Sequence, residues 1–471
     1  MMMKLSVAFA LFMAHGLFAA VRAAEPLFRD QAESDPTALV IRNKWPIGRN
    51  DPPFTDELFL EKLRERRDWT RVESWGTPRL TGAILEPLAE LPDLRVLKLS
   101  TSDIDDAGLE TIAKMPALKV FEIAPSGAGL AATNTGIAAL GRSSSLEEVT
   151  LRIKLLDDFG LAGIAAAPRL RRLALLNPDN FMHIYHRDRP HEWVAEYGVS
   201  RVTRAGLEAL TQSRMLTHLR LESANITDED AAVVARIPNL KSLEWAADAG
   251  TVRTRLRFGD DFFRALAQAP NLEELRLSNF LLQVGPEGVK ALAERGRLTR
   301  LNLGILRLPP DQHDFMLGLI GRFPNMEHLD LYQSSPAYSD EGFRQLAPLV
   351  KMASFRCAAP KITEEALQVM NDWNRLESLH LDASLINDAL LWWAAGRPAL
   401  RHLSNRYAIN VTDAGLDALG PDCALVSLSL GGQFSRESVD ALKARLPRLK
   451  AELRVSRAAP AAENQGKPSD G

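Results

Sequence analysis

Cysteine is almost absent from this chain, and so is any excess of charge of one sign. Among 471 residues only Cys357 and Cys423 are cysteines, which leaves room for one disulfide at most. The 57 basic and 60 acidic residues are intermixed and give a formal charge of −3. This balance predicts neither a nucleic-acid partner nor binding to an anionic membrane surface.

Catalytic motifs are also missing. The sequence contains no Gly-x-Ser-x-Gly elbow, no phosphate-binding Gly-rich loop that ends in Lys-Ser or Lys-Thr, and no His-Glu-x-x-His. Each of these motifs places a nucleophile, a phosphate cradle or a metal in a defined local structure. Their absence, together with repeats that occupy most of the chain and leave no room for a separate enzyme domain, predicts a protein that is not an enzyme, with no catalytic residues and no cofactor.

The only long apolar run lies at the start of the chain. Lys4 precedes an apolar stretch from Leu5 to Val21, and Ala23 stands at a cleavage position for a secretory signal. We expect residues 1–23 to be removed, which takes the formal charge to −5 with Lys4 and Arg22 gone. An uncleaved membrane anchor is the alternative, since about 17 apolar residues is near the short limit for a span. Export to the periplasm, the cell surface or the medium is the predicted localisation.

One phrase fills most of the remaining chain, namely an apolar residue followed three and five positions later by two more. Its spacing is 24 to 32 residues with one gap of 46, which is typical of a solenoid. The fourteen openings are Leu94, Leu118, Leu146, Leu170, Leu216, Leu240, Leu272, Leu298, Met326, Met352, Leu376, Leu400, Leu425 and Leu449. A stack of such units offers a long surface without a pocket, so the pattern favours a binding scaffold.

Each repeat reads as a short strand followed by a short helix. In the first unit, Leu97 and Leu99 alternate with polar or outward residues, which indicates a strand with one buried face. Leu109, Ile112 and Ala113 then recur at the spacing of a helix face. Thr-Asp or Ser-Asp pairs ahead of the helices, as at Thr412-Asp413, can accept hydrogen bonds from the first helical amides.

The run Leu-x-x-Leu-x-Leu followed by Ile-Thr-Asp-x-Gly-Leu resembles the leucine-rich repeat family over about residues 69 to 455. Small residues such as Ser102, Ala224 and Ser384 replace the asparagine of many members. This version is similar to ribonuclease-inhibitor-like and cysteine-containing repeats, especially those of exported bacterial proteins. The resemblance implies an α/β fold, a right-handed solenoid or horseshoe with parallel strands on the concave face and helices on the convex face.

The ends of the solenoid depart from the repeat. We expect an irregular segment at 24–53, a degenerate capping repeat at 54–92, the solenoid at 93–455 with an insertion at 177–202, and a disordered tail at 456–471. Cys357 and Cys423 fall three repeats apart, roughly 14 Å, so they are predicted to be buried thiols rather than a disulfide. The protein is expected to be a single-domain monomer.

Two regions are candidate contact surfaces. The insertion supplies aromatic partner-binding candidates, Phe181, Tyr185, Trp193 and Tyr197, and weak metal-ligand candidates, His183, His186 and His191. Four smaller extensions follow strands and should line the same edge: Ala246 to Gly259, Asn279 to Pro286, Gly304 to His313 and Tyr332 to Tyr338. On the concave face, the residues between the second and third apolar positions alternate in charge: Lys98, Glu122, Thr150, Ala174, Arg220, Glu244, Arg276, Asn302, Asp330, Arg356, His380, Ser404 and Ser429.

Three functions stay open on the sequence. The favoured one is an exported, non-catalytic scaffold that binds a protein, or a surface glycan, through the concave face and the insertion edge. An intracellular adaptor resembling ubiquitin-ligase substrate receptors is the alternative, against which the leader and the missing F-box-like module argue. The third is a metal-dependent activity in the histidine insertion.

Overall fold

A computed structural model describes residues 35–42, 54–77, 79–124, 129–153, 156–176, 201–222, 227–246, 257–278, 281–282, 285–303, 305–306, 308–331 and 338–455. The leader, most of the insertion and the C-terminal tail lie outside these ranges, so the predictions made for them stay predictions. Within the described part of the chain, no helix has the length and hydropathy needed to span a bilayer.

One open sheet of sixteen parallel strands runs through the molecule. All fourteen strands expected from the repeat phrase are present, together with the strand of the degenerate N-terminal repeat. In order across the sheet the strands are β1 (Ala38–Arg42), β2 (Arg71–Trp75), β3 (Val96–Leu99), β4 (Val120–Ile123), β5 (Glu148–Arg152), β6 (Arg172–Leu176), β7 (His218–Glu222), β8 (Ser242–Ala246), β10 (Glu274–Ser278), β12 (Arg300–Asn302), β14 (His328–Leu331), β15 (Ser354–Ala358), β16 (Ser378–Asp382), β17 (His402–Asn405), β18 (Ser427–Phe434) and β19 (Lys450–Val455).

Short helices connect the strands, which gives the α/β solenoid expected from the sequence. They are α1 (Asp56–Arg64), α2 (Leu85–Ala89), α3 (Asp106–Ala113), α4 (Asn134–Leu140), α5 (Asp158–Ala165), α6 (Arg204–Leu210), α7 (Asp228–Val234), α8 (Asp260–Leu266), α9 (Pro286–Arg295), α10 (His313–Ile320), α11 (Asp340–Arg344), α12 (Glu365–Val369), α13 (Ala389–Ala395), α14 (Asp413–Asp417) and α15 (Arg436–Arg445). The inward side chains of strands and helices form one continuous apolar cluster from Leu39 to Leu442.

The strand β1 lies in the segment 24–53, for which the sequence showed no periodicity. It pairs in parallel with β2, Leu39 opposite Val72, and extends the sheet by one strand. A single five-residue strand buries only Leu39, and one buried residue is too little to produce a detectable repeat.

Aspartates at the first position of a helix, or directly before it, bind the next repeat rather than their own helix. Thr203 donates its backbone N–H and its hydroxyl to the two carboxylate oxygens of Asp158, at 2.7 and 2.6 Å. The same pair of hydrogen bonds recurs between Asp106 and Thr133, Asp340 and Thr363, and Asp388 and Thr412. The Thr-Asp phrase is therefore a link between neighbouring repeats, beyond the local helix cap predicted from the sequence.

This link also explains a glycine of the repeat phrase. A Cβ atom on Gly206 would lie 2.5 Å from the Asp158 carboxylate, a separation that real Cβ atoms do not show. The close backbone packing predicted from the repeated glycines is present, and its cause is the aspartate of the preceding repeat.

Replacing Asp340 with alanine should lower the free energy of unfolding by about 1–2 kcal/mol, because Thr363 loses two charge-assisted hydrogen bonds. Urea unfolding followed by circular dichroism measures the change. The matched control is Asp93→Ala, an exposed turn position, which should stay within about 0.5 kcal/mol of the wild type. Equal effects of the two substitutions would show that the link contributes nothing.

Candidate binding surface

The strands place three rows of outward side chains on the concave face. Inward leucines such as Leu275 and Leu277 occupy the alternate positions and are fully buried. The middle outward row is in register across the sheet, with Glu244 beside both Arg220 and Arg276, and with Arg356 between Asp330 and His380. The sequence predicted charges of alternating sign along this row. The register places these opposite charges side by side on neighbouring strands.

Neighbours in the middle row form ion pairs across strands. Glu244 lies 3.3 Å from the Arg220 guanidinium and 3.9 Å from that of Arg276, and its side chain is only 10% exposed. Lys98 and Glu122 are joined at 3.5 Å nearer the N-terminal end. Because partly buried pairs are screened less than exposed ones, they hold a defined pattern of charge on the surface.

A second charged cluster lies farther along the concave face. Asp382 is 3% exposed and accepts a hydrogen bond from the Arg406 backbone N–H at 3.2 Å. The Arg406 guanidinium and His380 Nε2 lie 3.7 and 3.4 Å from the same carboxylate. In the middle outward row, Asp330 accepts a hydrogen bond from the Asn302 side-chain amide at 3.1 Å and forms an ion pair with Arg356 at 3.5 Å.

The chain extensions on one edge of the solenoid form a sheet of their own. Three two-residue strands, β9 (Arg257–Phe258), β11 (Leu281–Leu282) and β13 (Ile305–Leu306), pair in parallel. This arrangement confirms that three of the four smaller extensions line one edge. In the fourth, Tyr338 is fully buried against His313 and Phe343, so this end of the extension packs into the core instead of facing a partner.

The insertion candidates lie outside the described residues. This holds for Phe181, Tyr185, Trp193 and Tyr197 and for His183, His186 and His191, so both hypotheses about the insertion stay predictions. In the part of the chain that the structure describes, no group of three or more histidine, cysteine, aspartate or glutamate side chains is placed to hold a metal ion.

A family model described as Leucine Rich repeat matches two segments, residues 90–113 and 212–235. The first contains β3 and α3 and the second contains β7 and α7, one strand and one helix each. The chain is a leucine-rich-repeat protein. A comparison with curated protein sequences gives no match.

Several solved structures resemble the chain at low sequence identity. A leucine-rich-repeat protein of Leptospira interrogans is 14% identical with a TM-score of 0.43, over 82% of this chain and 90% of that one. An internalin of Listeria monocytogenes is 15% identical with a TM-score of 0.41, over 79% and 94%. A chain of the yeast Rad7 and Elc1 complex is 14% identical with a TM-score of 0.43, over 76% and 79%.

Histidines add a pH-sensitive component to the concave face of this leucine-rich-repeat protein. Burial lowers the pKa of His218, and the neighbouring Arg172 lowers it further. His328 shows the same effect, since burial and the positive charge of Arg300 both lower its pKa. Both imidazoles are therefore neutral at neutral pH.

Acidification should destabilise the protein through these two histidines. Their folded-state pKa values lie below the ordinary 6.5, so the unfolded chain takes up protons first as the pH falls below about 6.5. We expect the free energy of unfolding to be lower at pH 5.5 than at pH 7.5. The double variant His218→Gln, His328→Gln should lose less over the same interval, as measured by urea titrations at both pH values. A pH dependence identical to that of the wild type would contradict this assignment.

The third row of outward side chains on the concave face was not predicted from the sequence. It contains Glu222, Asp382 and Arg406, and Glu222 pairs with Arg220 on its own strand at 3.0 Å. These residues directly follow the third inward position of their strands, Leu221, Leu381 and Asn405, so extending the inward-outward alternation by one residue would have identified them. Both cysteines carry free thiols, as predicted. Cys357 is fully buried, and burial raises its pKa. Cys423 is only half-buried, so the prediction that it is buried was wrong.

Proposed function

We propose that this leucine-rich-repeat protein is an exported, non-catalytic scaffold that binds a protein partner through its concave face. The observation that carries the proposal is the ladder of ion pairs across neighbouring strands from Arg220 to Arg276. A surface with a defined charge order over several strands suits a partner that presents the complementary order over a similar length. The leucine-rich-repeat architecture supports this reading because it provides area rather than a cleft.

The partner's complementary charges would act mainly on specificity. Glu244 and Asp382 are already paired within the chain, so a partner gains by fitting between existing pairs and loses by placing a like charge against them. Reversing one buried member of the pattern should therefore reduce binding more than reversing an exposed charge elsewhere.

Affinity capture from an extract of the source cells tests this proposal. The immobilised mature chain is compared with Arg276→Glu on the concave face and with Arg236→Glu, an exposed position on the far side that pairs with Glu208. We expect specific proteins to be retained by the wild type and by Arg236→Glu and to be lost with Arg276→Glu. Equal retention by all three chains would place the binding surface elsewhere.

A variant that lacks residues 177–202 separates the concave face from the insertion edge. Loss of the retained proteins only with this deletion would assign binding to the insertion. Export has its own test, N-terminal sequencing of the mature chain after cell fractionation. A start at Ala24 in the exported fraction supports the proposal, and an intact start in the cytoplasmic fraction contradicts it.

A further inference from the structure

The last strand of the sheet, β19, lies at an edge, as does the first strand, β1. Among the described residues, β19 has a strand partner, β18, on one side only. Leu449, Ala451 and Leu453 are partly buried, whereas the corresponding Leu428 and Leu430 of β18 are 0% and 2% exposed. The C-terminal end of the solenoid thus presents an apolar strip beside a strand edge.

The backbone of β19 presents hydrogen-bonding groups at this edge. The Lys450 N–H donates to the Val426 carbonyl at 2.9 Å and so points toward β18. Backbone groups of successive residues point to opposite sides of a strand, so the N–H and C=O of Ala451 and Leu453 point outward. Such an edge is a template for another strand.

The side chains at this edge have a charge order that can complement itself. Lys450, Glu452 and Arg454 lie on the concave side of β19, and the lateral neighbour of Glu452 in β18 is Ser429. Among the described residues, no ion pair engages Glu452 or Arg454, and both are exposed. Their charges are therefore available to a partner strand.

We propose that β19 pairs in antiparallel orientation with β19 of a second copy of this chain, about a two-fold axis through Leu453. In this register Glu452 of each copy faces Arg454 of the other at a non-hydrogen-bonded pair, where side chains come closest. Leu453 faces its own counterpart, so this partly buried leucine is covered in both copies. A two-fold contact of this kind is closed, so it gives a dimer rather than a filament.

Other registers are less favourable. An axis through Glu452 would place Glu452 against itself and Lys450 against Arg454, which opposes like charges. An axis through Ala451 would require the Leu449 N–H, which already donates to the Leu446 carbonyl at 3.0 Å. The following segment, 456–471, has alanine as its only apolar residue type and contains Pro460 and Pro468, which have no N–H to donate.

The dimer replaces the monomer expected from the sequence. In this arrangement the axis is perpendicular to the sheet, so the concave faces of both copies lie on the same side. The sheet then continues from one copy into the other, and the surface proposed for protein binding is doubled in length.

Sedimentation equilibrium of the purified chain over a hundredfold range of concentration tests the proposal. We expect twice the monomer mass for the wild type. Glu452→Arg and Arg454→Glu should each raise the dissociation constant at least tenfold, because each places like charges in opposition. The charge-swapped double variant should dimerise again, and an equimolar mixture of the two single variants should form the mixed dimer. Arg236→Glu, on the far side, is the control and should dimerise like the wild type.

Three results would overturn the proposal. They are a monomer at every concentration, a dimer that neither single variant weakens, and a full chain that is monomeric while a chain ending at Val455 dimerises. The last result would identify residues 456–471 as the segment that covers the edge. Circular dichroism confirms that each variant is folded, and the charge-swapped double variant separates a lost contact from a damaged strand.

Discussion

Replacing Leu275 with alanine should lower the free energy of unfolding by about 3–4 kcal/mol. Leu275 lies in β10, near the middle of the sheet, and its side chain is 0% exposed within the continuous apolar cluster. Its removal loses the burial of the side chain and leaves a cavity between two repeats, which cannot collapse because both neighbours are held by strand pairing. Urea unfolding followed by circular dichroism gives the change.

The control for this substitution is Leu385→Ala. Leu385 follows β16 and is 49% exposed, so the same chemical change should cost less than about 1 kcal/mol. If both substitutions cost the same small amount, the strand leucines do not form the core. If Leu275→Ala unfolds the protein and Leu385→Ala does not, burial is the cause.

Replacing Gly163 with alanine should cost about 2 kcal/mol, although alanine favours a helix over glycine by about 1 kcal/mol. Gly163 lies in α5 against α4, and an added Cβ atom would lie 2.4 Å from the Ala138 Cα and 2.2 Å from its Cβ. The backbone cannot yield as a flexible side chain can, so the two helices must separate. Overpacking of this kind costs about 1–3 kcal/mol, which outweighs the gain in helix propensity.

Hydrogen exchange localises the effect of Gly163→Ala. Amides of α4 and α5 should exchange faster than in the wild type, while those of β15 to β17 should be unchanged, because repeats contact only their neighbours. The matched control is Gly420→Ala, since no heavy atom lies within 4 Å of its added Cβ. A stabilised Gly163→Ala variant would show that the helices are not in close contact.

The fold could be predicted from the sequence because each strand repeats the same alternation. Leu97, Leu219 and Leu403 occupy equivalent inward positions, and the helices follow at a fixed distance. The link between Asp158 and Thr203 could not be predicted, because the two residues are 45 positions apart and the Thr-Asp phrase has an adequate local explanation as a helix cap. Likewise, β1 could not be predicted, because it buries a single leucine and one buried residue gives the sequence no hydrophobic periodicity.

The candidate site was predictable only in part. The alternating charges of Arg220, Glu244 and Arg276 were visible, and the fixed register of parallel strands makes them neighbours. The burial of Asp382 was not visible, because it depends on the position of Arg406 in the next repeat and on the crowding of side chains on the concave face. The insertion has no repeat partner, so no register fixes its residues.

Stacking of the repeats in chain order into one sheet with a continuous concave face underlies both the fold and the proposed binding surface. Spin-label distances test it most directly, with one label at Thr150 in β5 and the second at Asn302 in β12 or at Ser429 in β18, in samples diluted with unlabelled chain. The sheet order places these partners five and ten strands from Thr150. At about 4.8 Å per strand, we expect distances of about 24 Å and about 45 Å, the longer one slightly shortened by curvature. A distance to Ser429 no longer than the distance to Asn302 would contradict the single stacked sheet.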